Sequence, residues 1–199
     1  MTQVVVLHGG DSFSSHDAYL ASLRDFTIEN LDYLKRKPDW RARLPEVLGS
    51  EYEVLAPQMP NKWNARYAEW KLWFEKFLLF FNDGVILVGH SLGASFLTRY
   101  LAENDFPVRI EATFLVSGVY SSDVEGMTEE FAAPASLARL AEQGGKIFLY
   151  HSVDDPVVPF SELGKYQVAL PHAIARSFTD RQHFNQESFP ELVADIHNL

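Results

Sequence analysis

No cysteine occurs among the 199 residues. That absence excludes disulfides, thiolate zinc sites and a cysteine nucleophile, and it suits a reducing compartment. Positive charge is scarce: 17 Lys and Arg stand against 27 Asp and Glu, a formal net charge of −10. Neither nucleic acid nor an anionic membrane would be drawn to such a surface, so neither is an expected partner. Long hydrophobic runs are missing too. The most apolar stretch, Trp70 to Phe81, is interrupted by Lys71, Glu75 and Lys76, and no segment is long enough to span a bilayer. The opening MTQVVVLHGG has no basic region and too short an apolar run for a secretory signal. A soluble, cytoplasmic protein is expected, with its oligomeric state open.

What is present reads as a globular α/β chain. Hydrophobic residues make up 47% and charged residues 22%, an ordinary balance, and the absence of linkers, repeats or low-complexity tracts predicts one domain over 1–199. Short apolar runs at Gln3–Leu7, Tyr52–Ala56, Val85–Val88, Ala112–Val116, Lys146–Tyr150 and Ala173–Phe178 are strand candidates. Most are continuous rather than alternating, as strands covered on both faces are. Helical periodicity between them predicts a mainly parallel sheet of about six strands flanked by helices. Trp70, Trp73, Phe74, Phe77, Leu78 and Phe81 form one apolar stripe at helical spacing, predicting a helix buried against that sheet. Between Phe26 and Tyr52, Pro38 and Pro45 are expected to break the chain into pieces, with Pro38 ending a helix. The basic group Lys35, Arg36, Lys37, Arg41 and Arg43 is expected on a solvated helix face.

The stretch Gly89-His90-Ser91-Leu92-Gly93 follows the strand VILV and precedes a helical pattern. A chain that turns from strand to helix so quickly strains its central residue, and small neighbours relieve the crowding. Ser91 is then held out at the sheet's edge beside the unpaired N–H groups of a helix N-terminus. This is the G-x-S-x-G elbow, in which an acid and then a histidine follow on later loops. A serine hydroxyl needs such a base, oriented by an acid, to act as a nucleophile near neutral pH.

Both partners are found where they are required. After KIFLY come Asp154 and Asp155, and after the last strand candidate comes His183. Of the other histidines, His90 would flank Ser91 rather than face it and His8 would support its local turn; His16, His151, His172 and His197 have no positional argument. The residue after the nucleophile, Leu92, would supply one oxyanion donor. The second would come from His8-Gly9-Gly10-Asp11-Ser12, with Gly10 favoured and Asp11 its rival.

The motifs LHGGDS, APQMPN, VGHSLGA, LVSG, SVDDPVVP and HFN together resemble the α/β hydrolases over essentially the whole chain. More narrowly they resemble the small serine hydrolases of the YdeN type, a group that includes the retinoblastoma-binding serine hydrolase of animals. The resemblance implies an α/β-hydrolase sheet with a small cap or none, no metal or organic cofactor, and Ser91, Asp155 and His183 as the triad. The D-x-x-V-P spacing common in that superfamily selects Asp155 over Asp154. Gln182 departs from the pattern, standing where a glycine often precedes the histidine. Hydrolysis of a small carboxylic ester, thioester or amide through an acyl-enzyme is the function implied. Aminopeptidase or amidase activity, acyl transfer to a non-water acceptor, and a binding protein on the same scaffold are its rivals.

Overall fold

The computed structural model describes residues 1–35, 38–124 and 127–199. Six strands form one all-parallel sheet: β1 (Thr2–Leu7), β2 (Tyr52–Leu55), β3 (Val85–His90), β4 (Ile110–Val116), β5 (Lys146–Ser152) and β6 (Ile174–Phe178). They lie in the order β2-β1-β3-β4-β5-β6. Val4 sits opposite both Val54 and Ile86, and Phe114 lies between Val88 and Phe148. Strand β3 is buried along its whole length, whereas β6 at the sheet's edge is mostly exposed.

Alternation along the strands divides the interior into two layers. Val5, Leu7, Val85 and Leu87 face one core, closed by α3 (Tyr67–Glu75), α4 (Leu92–Glu103), α5 (Ala138–Gln143) and α6 (Ser161–Ala169). Val4, Val6, Ile86 and Val88 face the other, closed by α2 (Trp40–Leu48) and α7 (Pro190–His197). The remaining helix, α1 (His16–Asp25), buries no residue; Ser15 caps it by accepting from the Ala18 amide at 3.1 Å. Among the described residues, no helix is long and apolar enough to cross a membrane. Residues 117–137, where larger relatives of such folds insert a lid, contain no helix or strand among those described.

Three local expectations are corrected. The stripe from Trp70 to Phe81 is not one helix: α3 ends at Glu75, and Leu78–Phe80 form a 3₁₀ turn. The Lys76 and Phe77 amides bond back three residues, to Trp73 and Phe74. That tighter winding changes the spacing of the later side chains. Trp70, Phe74 and Phe81 are buried and Phe77 and Leu78 pack against the same core, whereas Trp73 is 41% exposed. Pro45 does not break the chain either, for it lies inside α2. Its ring removes one amide from a nine-residue helix anchored by Trp40, Leu44 and Leu48 in the core and capped by Asp39. Pro38 precedes that cap rather than ending a helix. Of the basic group, Arg36 and Lys37 lie outside the described residues, and Arg43 pairs with Glu187 on the surface.

Trp70 is fully buried, packs edge-on against His8, Phe96 and Phe131, and donates its indole N–H to the Pro60 carbonyl at 2.8 Å. Trp70→Ala is expected to cost about 3–5 kcal/mol of unfolding free energy. Leu72→Ala, on the exposed face of the same helix, should change it by less than about 0.5 kcal/mol. Urea denaturation of the two variants checks this; equal shifts would refute the assignment of Trp70, and not Leu72, to the core-facing side of α3.

Candidate active site

Ser91 occupies the junction of β3 and α4 with φ 54° and ψ −122°, a conformation costly for any residue with a Cβ. Its glycine neighbours are required by contact rather than by flexibility. A Cβ on Gly89 would lie 2.6 Å from Ala94 Cα, and one on Gly93 would lie 2.5 Å from the Leu7 carbonyl oxygen. The Ser91 amide donates to Val116 at 2.8 Å, and its carbonyl accepts from Ala94 and Ser95, fixing the turn on both sides.

The Ser91 side chain opens on a cavity of about 390 Å³ also lined by Gly10, Asp11, Leu92, Val119, Met127 and His183. Gly9 backs the serine closely, since a Cβ there would be 3.0 Å from Ser91 Cβ. The Asp11 amide is committed to the Lys62 carbonyl at 2.8 Å. The Gly10 and Leu92 amides have no intramolecular acceptor among the described residues. Of the two loop candidates for an oxyanion donor, Gly10 is therefore the one with a free N–H.

His183 donates Nδ1–H to Asp155, at 2.9 Å to Oδ2 and 3.1 Å to Oδ1. The Asp155 carboxylate is fully buried and has further donors: the Val157 and Val158 amides at 2.8 and 3.0 Å on Oδ1, and the Ser117 hydroxyl at 2.8 Å on Oδ2. Burial alone would raise its pKa, but the bonds from His183 and these amides outweigh it and hold the carboxyl below its ordinary value. With an ionised acceptor at Nδ1, the Nε2 side of the His183 ring is left free to accept a proton. No hydrogen bond joins Ser91 Oγ to that ring in this conformation; such contacts commonly tighten only when substrate binds.

Asp154 has a different place. Its Oδ1 accepts from the Ser152 hydroxyl and, at 3.0 Å, from the Gln182 amide. It thereby ties the loop carrying His183 to the end of β5. Gln182 itself adopts φ 46°, the left-handed region where glycine is favoured, so a side chain stands there at a cost in strain.

Three further residues join the site without a sequence signal that would have placed them there. Ser117, at φ 45° just after β4, reaches Asp155 through the fold. Arg41 leaves the solvated face expected of it and enters the cavity wall, where it donates to His90 Nδ1. His90 in turn donates Nε2–H to the His183 carbonyl at 2.8 Å. Burial, then the neighbouring Arg41 cation, pushes the His90 pKa well down, so the ring is neutral and fixed in one tautomer. Glu162, almost fully buried on α6, accepts from the Tyr120 and Ser121 amides at 2.8 and 2.9 Å and pins the loop that bears Val119. His8 accepts from the Met59 amide at 2.9 Å and His151 donates to the Val158 carbonyl at 3.1 Å. Both histidines hold loops, and burial lowers both pKa values. His16, His172 and His197 are exposed and do not line the cavity. No group of three or more His, Asp or Glu among the described residues is arranged to hold a metal ion.

Comparisons with known proteins fit this architecture. The model of the alpha/beta hydrolase family matches residues 4–196, and the chain belongs to that family. It is 30% identical over 163 residues to serine hydrolase RBBP9 of Rattus norvegicus, covering 80% of this chain and 83% of that protein. Among solved structures, the ydeN gene product of Bacillus subtilis superposes with a TM-score of 0.73 at 19% identity, covering 100% of this chain and 98% of the other. The meta-cleavage product hydrolase CumD of Pseudomonas fluorescens gives 0.64 at 16% identity, covering 100% and 91%. The protein is thus an alpha/beta hydrolase of the YdeN and RBBP9 type.

Because Asp155 titrates lower in the folded chain than in the unfolded one, it stabilises the fold above the ordinary carboxyl pKa, and that contribution is lost as pH falls through its depressed value. Asp155→Asn should therefore flatten the fall in melting temperature between about pH 5 and about pH 3. Thermal unfolding across that range checks it, and a parallel curve for the variant would contradict the assignment.

Proposed function

We propose that the protein is a serine hydrolase cleaving a carboxylic ester, thioester or amide of a small substrate, with Ser91 as nucleophile, His183 as general base and acid, and Asp155 orienting the imidazole. The observation that carries this reading is the buried Asp155–His183 pair at 2.9 Å, beside a cavity that also exposes the strained Ser91. Ser91 Oγ attacks the substrate carbonyl as its proton passes to His183 Nε2. The oxyanion accepts hydrogen bonds from the Gly10 and Leu92 amides, neither of which has an acceptor among the described residues. Collapse expels the alcohol, thiol or amine, which takes the proton back from His183, and water then releases the acid by the reverse sequence. The positive charge arising on His183 is met by the Asp155 carboxylate, held ionised by three other donors and the imidazole. A cavity of about 390 Å³ favours a small acyl or leaving group.

A fluorophosphonate probe is expected to label Ser91 and to leave Ser91→Ala unlabelled, with the modified peptide identified by mass spectrometry. Asp155→Asn should lower turnover of an activated ester by about 10⁴-fold through the wrong imidazole tautomer. Absence of labelling in folded protein, or equal labelling of Ser91→Ala, would overturn the nucleophile assignment.

A further inference from the structure

Two cations stand beside Ser91 without a part in the proposed reaction. His8, Arg41 and Lys62 line both the Ser91 cavity and a second cavity of about 600 Å³ that is also bounded by Pro57 and Gln58. Arg41 spends Nε–H and one Nη2 hydrogen on Asp39 and one Nη1 hydrogen on His90. Two of its five donors remain. Asp39 is saturated in return: Oδ1 accepts the Arg41 amide at 2.9 Å and Oδ2 takes the guanidinium. Lys62 forms no ion pair among the described residues; its ammonium lies 5.0 Å from the Trp63 ring centroid. Asp11, the acid on the Ser91 cavity, forms no ion pair with either cation. His8 between them is neutral, because burial, and then the Lys62 and Arg41 charges, lower its pKa. In a chain of net charge −10 the two cations here equal in number the acids Asp11 and Asp39 that line the same cavities, and the wall adjoins the nucleophile.

We propose that the substrate carries a carboxylate that binds at this shared wall, accepting hydrogen bonds from the Lys62 ammonium and the two spare N–H groups of Arg41 while the scissile carbonyl lies at Ser91. A planar two-oxygen acceptor matches a guanidinium edge, and the nearby Asp11 carboxylate disfavours a more highly charged phosphate. The inference rests on the serine-hydrolase reading for its catalytic consequence but not for the binding itself.

The test uses two matched pairs: p-nitrophenyl pentanoate against p-nitrophenyl hemiglutarate, with the acid on the acyl side, and p-acetylphenyl butyrate against p-carboxyphenyl butyrate, with the acid on the leaving side. One acid should exceed its neutral match by about tenfold in kcat/KM, a preference that falls toward parity in Lys62→Gln and weakens with added salt. Parity of both pairs in the wild type, or a preference unchanged in Lys62→Gln, overturns the proposal. Calorimetric titration of Ser91→Ala with monomethyl glutarate reads binding apart from chemistry. Affinity lost by about tenfold on adding Lys62→Gln supports the site even if no ester is cleaved, in which case the hydrolase reading alone falls. Absent binding, or equal affinity in the double variant, overturns the carboxylate site while leaving labelling at Ser91 to decide the nucleophile.

Discussion

The junction at Ser91 is the constraint from which the rest of the structure follows. A residue with a Cβ is held at φ 54° because β3 and α4 are packed too closely to be joined any other way. Gly93 lies against the Leu7 and His8 carbonyls, so α4 crosses the end of β1 at backbone contact. That approach buries most of α4, including Phe96, Leu97, Tyr100 and Leu101, in the larger core. The interior packing that stabilises the domain therefore also holds the serine in its strained pose. Removing either glycine would move the helix and the serine together.

Around this rigid centre three acids hold the loops, Asp155 and Glu162 from the interior and Asp154 from the surface. Asp155 collects two amides, a hydroxyl and an imidazole; Asp154 joins the end of β5 to the His183 loop; Glu162 secures the loop after β4. The Asp155 and Glu162 carboxylates lose hydration and regain it as fixed donors. Ionised acids at fixed positions suit a site where a positive charge would appear transiently on one ring. The same arrangement makes the site region sensitive to acid, because protonation removes the acceptors that hold several loops at once.

Much of this was legible in the sequence wherever the physical cause is local. Strands covered on both faces read as unbroken apolar runs, and all six candidates agree with the observed strands to within two residues at each end. The Gly-x-Ser-x-Gly turn was legible because the glycines answer a clash between adjacent residues of the chain. What failed had distant causes. The end of α3 at Glu75 falls within a stripe whose later members still reach the core, so periodicity does not register it. Pro45 is tolerated because Trp40, Leu44 and Leu48 are anchored against the sheet. Arg41 and Ser117 meet their partners 49 and 38 residues away in sequence, and nothing near them in the chain marks either contact.

The sheet order carries a consequence for how the chain is made. Strand β1 pairs with β2 fifty residues later and with β3 more than eighty residues later, with Val4 opposite Val54 and Ile86. Closing loops of that length costs entropy before any ladder bond returns it. During synthesis the first strand must wait, fully apolar, until nearly half of the polypeptide has emerged. Only when β3 arrives is VVVL enclosed on both sides, and the residue that follows β3 is Ser91. Completion of the central ladder and formation of the strained turn are thus one event in time. A nascent chain that has not yet sheltered its first strand has no elbow either.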